Sequence, residues 1–178
     1  MRTKVLYIVL CLALLTGCVE PIELEFAVTE MGFPLGFTRI SDGAQINLGM
    51  SRSEIESILN MVSDYEFEDT GVYEWGDEVI GISYNYDGVA WSIGIFDRSD
   101  IVMPSGDWAI VGRFSIGSNI SDVIDSSKFT YIVEGGQLII YDAPRNPTYG
   151  LVIGRNENDT IRSMQLIDIP ARDEWYDQ

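Results

Sequence analysis

The hydrophobic positions of this chain follow three patterns. Residues 5–15 are almost wholly apolar. Further on, Ile55, Ile58, Leu59 and Val62 recur at helical spacing, and so do Ile120, Val123 and Ile124. Most of the remaining apolar residues alternate with small or polar ones, which marks half-buried strands. The alternation predicts strands over 71–75, 79–86 and 89–96, joined at Gly76-Asp77 and Asp87-Gly88. After the second helix it predicts strands over 129–133, 137–142, 148–155 and 161–168, the first pair joined at Gly135-Gly136. A helix followed by an antiparallel meander, twice over, is an α+β pattern.

Strand parity sorts the side chains into two faces. Ile80, Ile82, Tyr84 and Tyr86 share one face, with Val89, Trp91, Ile93 and Ile95. Tyr149, Leu151 and Ile153, then Met164 and Leu166, do the same later in the chain. The opposite face holds Ser83, Asn85, Ser92, Gly94, Ser163 and Gln165. The apolar set is expected to bury against the helices, leaving the small and polar face open.

The two halves also align residue by residue. INLGMSRSEI over 46–55 matches FSIGSNISDV over 114–123, aligned on Gly49 and Gly117. WSIGIFD over 91–97 matches RSMQLID over 162–168. The second half is three residues longer between these blocks, and the extra length is expected where Asp87-Gly88 becomes Asn156-Glu157-Asn158-Asp159, because hairpin tips tolerate insertion. Ser51 and Glu54 have capping-box spacing, and Asn119 and Asp122 occupy the same places. A carboxylate at Glu54 would repel a phosphate, so the segment reads as a helix start and not as an anion site.

Charge and cysteine usage add a location. Arg2 and Lys4 precede the apolar run, which is too short to span a bilayer, and Leu15-Thr16-Gly17-Cys18 follows it. This resembles the lipobox signal of bacterial lipoproteins. The resemblance implies cleavage after Gly17 and acylation of Cys18, palmitate or its like, which would anchor the protein to a membrane of the cell envelope, the outer membrane in a diderm cell. Cys11 and Cys18 are the two cysteines, so loss of residues 1–17 leaves no intrachain disulfide. Removing Arg2 and Lys4 takes the net charge from −17 to −19. So acidic a chain repels nucleic acid. Its 11% aromatic content is too high for a disordered one.

The tandem helix-then-meander plan, with Gly-Met-Ser-x-x-Glu at the first helix start, resembles the β-lactamase-inhibitor-protein-like fold. Single units also resemble the small lipoprotein of the outer-membrane β-barrel assembly machine. The resemblance implies two repeats, 37–100 and 101–169, with helices on one face of a β-sheet. A lipidated tether over 18–36 precedes them and an acidic tail over 170–178 follows. It also implies binding of another protein rather than catalysis. The chain lacks the inhibitors' disulfides, so β-lactamase inhibition does not carry over. Three functions are in view: an envelope protein that binds a partner or supports an assembly, a binder of a secreted hydrolase, and an enzyme acting on envelope polymers.

Catalytic chemistry is hard to find. The chain has no histidine, the commonest general base and metal ligand. No nucleophile elbow and no phosphate-binding glycine loop occurs. Asp64, Glu66, Glu68 and Asp69, and Asn156 to Asp159, lack the spacing of a calcium loop. We expect a non-enzymatic protein without cofactor or metal. The candidates for recognition are aromatic: Tyr73 and Trp75 on the first strand of the meander, and Trp108 in the link between repeats. The alternative is that all three fill the core or the seam. Trp175 and Tyr176 fall in the acidic tail. Residues 22–28 alternate like an edge strand.

Overall fold

The computed structural model describes residues 24–63, 65–67, 69–98, 106–112, 114–126 and 128–176, and only the backbone of 65–67, 126, 175 and 176. The signal segment with Cys18, the acids Asp64 and Glu68, Ile22 and Glu23, and Pro104-Ser105 of the link lie outside the described residues, as do the side chains of Tyr65, Glu66, Phe67, Trp175 and Tyr176.

The fold is α+β and dominated by antiparallel sheet. Strands β3 (Tyr65–Phe67), β4 (Thr70–Trp75), β5 (Glu78–Tyr84) and β6 (Ala90–Asp97) form one meander. Strands β9 (Thr130–Glu134), β10 (Gln137–Tyr141), β11 (Tyr149–Arg155) and β12 (Ile161–Asp168) form another. They join along β6 and β12, where Leu166 faces Ile93 and Met164 faces Ile95, into one sheet ordered β3-β4-β5-β6-β12-β11-β10-β9. Burial follows the alternation. Ile80, Ile82, Tyr84, Ile93, Ile95, Leu151, Ile153, Met164 and Leu166 are all buried. Each such aliphatic side chain contributes about 1.5–3 kcal/mol relative to exposure.

The opposite face is less open than its residues suggest. Ser92 is buried and accepts a hydrogen bond from Gln165 Nε2 at 2.9 Å. The Phe96 ring lies over Gly94, where a Cβ would stand 2.5 Å from it. Ile169 reaches over Gly150 from helix α3 (Ile169–Tyr176). That helix replaces the start of the expected tail. Asp168 Oδ1 accepts the Ala171 amide at 3.1 Å, an N-cap bond, and Pro170 sits in the first turn, where an amide is spare anyway.

Turn chemistry fixes the hairpins. Gly76 has φ +61° at the first position of a two-residue link, as a type II′ turn asks, and Gly135 and Gly136 both have positive φ, as type I′ asks. The Asp87-Gly88 link is not a tight two-residue turn. β5 stops at Tyr84 because Asn85 Oδ1 accepts the amides of Asp87 and Val89, and Gly88 takes φ +70°. Tyr86 therefore stands 70% exposed, off the core face. Asn156 Oδ1 accepts the amides of Asn158 and Thr160, and Asp159 takes φ +58°. These are the same turn, so the extra residues of the second half are not at this tip. The connections that do differ are the helix-to-strand links, 60–64 against the shorter 127–129, and Gly76-Asp77 between β4 and β5 against the longer 142–148 between β10 and β11.

The capping box of helix α1 (Arg52–Leu59) is complete: Ser51 Oγ accepts the Glu54 amide, and Glu54 Oε2 accepts the Ser51 amide at 2.8 Å. Asn60, with φ +53°, ends the helix, so Val62 is 71% exposed and not on its buried face. Ile55 and Leu59 are buried, and the Arg52 guanidinium lies 4.7 Å from the centre of the Tyr84 ring. The glycine ahead of the cap has its own task. Gly49, φ +86°, donates to Ala90 O, Ala90 donates to Met50 O, and Arg52 donates to Gly88 O. At helix α2 (Ile120–Ser126), Gly117, φ +87°, donates to Ile161 O, Ile161 donates to Ser118 O, and Ile120 donates to Asp159 O. Asn119 Oδ1 caps this helix through the Ser121 amide.

A second sheet, ordered β2-β1-β7-β8, is built from β1 (Gly36–Arg39), β2 (Gln45–Asn47), β7 (Trp108–Ile110) and β8 (Phe114–Ser115). Strands of two to four residues carry too little periodicity to detect. Phe37, Ile46, Trp108 and Ile110 are buried in the same core as the large sheet. Phe33 is also fully buried, so the expected tether enters the core before residue 36. From Leu24 to Val28 the chain forms no strand; one isolated bridge joins Val28 to Pro34, which has no amide to extend the ladder.

Candidate functional site

The three aromatic candidates do not form a recognition surface. Tyr73 and Trp108 are fully buried and Trp75 is half-buried. Tyr73 lies on the core face, its hydroxyl 3.1 Å from that of Tyr84 and donating to Glu56 Oε1 at 3.4 Å. Burial pushes both phenols above their ordinary range, so both remain protonated donors. Trp75 and Trp108 meet edge to face at 5.9 Å. The Arg39 guanidinium lies over both rings, at 4.5 and 5.4 Å, while its Nε and Nη2 donate as a fork to the Asp42 carboxylate at 2.7 and 2.6 Å. That pairing holds the Asp42 carboxyl below its usual range. Trp75 Nε1 donates to Asp107 Oδ2 at 3.2 Å, tying the large sheet to the small one.

Under this cluster lies Glu78, 2% exposed. Its Oε2 accepts the Asp107 amide at 2.9 Å, and its Oε1 has no hydrogen-bond partner among the described residues. A Cβ at residue 106 would overlap that carboxylate, so a glycine stands there. Burial, reinforced by the charge of Asp107, pushes Glu78 up to about 7. A carboxyl poised near neutrality suits acid–base chemistry only where substrate can reach it. At 2% exposure Glu78 is a structural group.

The surface presents two other features. The first is β9, at one edge of the large sheet. All five of its residues are exposed, with Tyr131 at 44%, Ile132 at 43% and Val133 at 59%. Glu134 and Gln137 close a two-residue hairpin, so Glu134, Ile132 and Thr130 direct their backbone groups at β10. The amides and carbonyls of Tyr131 and Val133 point away from the sheet. The strand itself was legible in the sequence; its place at an edge was not, because order within a sheet is a matter of long-range pairing.

The second is an apolar cleft of about 300 Å³ where the two sheets meet. Ile140 and Leu151 of the large sheet form its floor, with Val123 of α2, Phe129, and Phe114 of β8 around them. Phe33 braces it, edge to face with Phe129 at 5.1 Å and stacked on Tyr149 at 6.4 Å. Lys128 stands at the lining. No sequence signal marks the cleft, since its walls come from five separate segments. No group of histidine, cysteine or carboxylate side chains able to hold a metal occurs among the described residues.

No protein-family model matches the chain, and no curated protein matches it. Among solved structures, the chain is similar to a DUF4309 family protein, YjgB, from Bacillus subtilis, with a TM-score of 0.43 and 13% identity over 66% of this chain and 78% of that one.

Proposed function

We propose that this chain is a non-enzymatic protein of the bacterial cell envelope, anchored through lipid on Cys18, which binds another protein along the β9 edge. The observation that carries the reading is β9 itself. An edge strand whose outward backbone groups face no other strand among the described residues, and which carries three large exposed apolar residues, is a template for one more strand, and soluble proteins normally blunt such edges. The partner segment is extended and apolar at alternate positions. Its flanks are basic, to match a chain of net charge −17 and the Glu134 carboxylate at one end of the strand. Anchoring rests on the basic start, the short apolar run and Leu15-Thr16-Gly17-Cys18.

The finer plan of the fold belongs to the same reading. We take 37–100 and 101–169 as two copies of one helix-then-meander unit with helices on one sheet face. The matching bonds around Gly49 and Gly117, and the matching turns at Asn85 and Asn156, support it.

Two experiments test the proposal. Cys18→Ala should release the protein from membranes, and the wild type should carry acyl mass; membrane retention by the variant with no acyl mass on the wild type would refute the anchor. For the edge, a photo-cross-linker at Tyr131 should capture a partner in cells. Val133→Pro removes an outward amide and leaves the β10 ladder intact, so it should keep the fold and cut the adduct roughly tenfold or more, the value of one lost hydrogen bond plus a clash. Ile132→Pro removes a ladder bond instead and should destabilise by about 1–3 kcal/mol. An adduct undiminished by Val133→Pro means the partner does not add to this edge.

A further inference from the structure

The apolar cleft is a second site, separate in chemistry from the β9 edge. We propose that it binds one slender amphiphile with an anionic head, a long-chain carboxylate, with the hydrocarbon inside and the head against Lys128. Size, lining and charge support this. At about 300 Å³ the cleft stands at the small end of ligand sites, which run roughly 300–1,000 Å³. It holds a single alkyl chain and not a two-chain lipid. Apart from Lys128 and two glycines its lining is Phe, Ile, Leu, Val, Met and Pro, so a polar body placed away from Lys128 would lose its hydrogen bonds to water without side-chain replacement.

Charge then selects the head. Lys128 is the only lysine beyond Lys4 in a chain of net charge −17. Among the described residues it makes no ion pair, although carboxylates are abundant. A cation left unneutralised beside an apolar cavity is complementary to a carboxylate at the end of an apolar chain. The lining is also preshaped. Gly32 and Gly112, at φ +85° and +84°, turn two of the chain segments that line the cleft, and a Cβ at 112 would press into Phe114 at 2.5 Å.

Titration of the full chain by calorimetry, below micellar concentrations, with decanoate, dodecanoate and dodecyltrimethylammonium tests the site. One-to-one saturable binding of dodecanoate is expected, tightening roughly fourfold per added methylene until the cleft is full. The cationic amphiphile should bind at least tenfold more weakly. Lys128→Gln, a change at an exposed residue that the fold tolerates, should weaken dodecanoate about tenfold and abolish the preference for an anionic head. A nitroxide near the dodecanoate tail should broaden the methyl resonances of Ile140, Leu151 and Val123. The inference fails if dodecanoate does not saturate, if the head group makes no difference, if Lys128→Gln leaves affinity unchanged, or if broadening centres on Val133 of β9 instead. None of these outcomes depends on the partner-binding reading.

Discussion

Trp108→Ala is expected to destabilise the protein by about 3–5 kcal/mol, the range for truncating a buried indole. Trp108 is fully buried and belongs to the small sheet, while its edge-to-face partner Trp75 belongs to the large one. Alanine would empty the space between the sheets and strip one aromatic face from Arg39. Because domains are stable by only about 5–15 kcal/mol in total, the variant should be close to unfolding at physiological temperature. Denaturant melts followed by far-ultraviolet circular dichroism measure this, with half-buried Trp75→Ala expected to lose less. A loss under about 1 kcal/mol would mean that Trp108 does not hold the sheets together. The same result governs partner studies: binding lost on Trp108→Ala reports unfolding, not a missing contact.

Stability is expected to fall as pH rises from about 4.5 to about 7, and Glu78 is the cause. Its carboxyl titrates near 7 when folded, mainly because burial disfavours the charged form, against an ordinary value of 4.5. Between these values the folded state holds a proton that the unfolded state has released. The stabilisation is therefore complete below 4.5 and gone above 7. The shift corresponds to about 3 kcal/mol. Other carboxylates add their own slope, so the informative comparison is with Glu78→Gln, which keeps an acceptor for the Asp107 amide but cannot ionise. Chemical denaturation at pH 5 and pH 8 should show a smaller drop in the variant, and the variant should be the more stable of the two at pH 8. Equal drops in both proteins would rule out Glu78 as the titrating group.

How much of this was legible beforehand depended on the range of the interaction. The apolar face of the large sheet was readable because a strand's side chains alternate by local geometry, so Ile80, Ile82, Ile93 and Ile95 name a face before any partner strand is known. Ser51 with Glu54 was readable for the same reason, since a capping box closes within four residues. The start of α3 could have been read from Asp168 and Pro170, but the acidic composition of the segment suggested a tail.

Other features left no local trace. The candidate binding anchors, Tyr73, Trp75 and Trp108, are large aromatics of a kind that serves interfaces and cores equally. Tyr73 is buried where it meets Tyr84 and Glu56 of α1, and Trp108 where the small sheet meets half-buried Trp75 of the large one, and both are long-range contacts. The strongest surface feature, β9, is a short apolar run like that of its neighbour β10; nothing in Thr130–Glu134 says that no further strand follows. The amino-acid sequence by itself determined the antiparallel α+β class, the core face of the meanders and the helix start at Ser51. It also supplied the charge and the signal-like N-terminus on which the proposed location rests. Tertiary structure decided which strand lies at the edge, where the two sheets leave a cleft, and which aromatics are sealed inside. Those outcomes depend on pairings between residues far apart in the chain, which local periodicity does not encode.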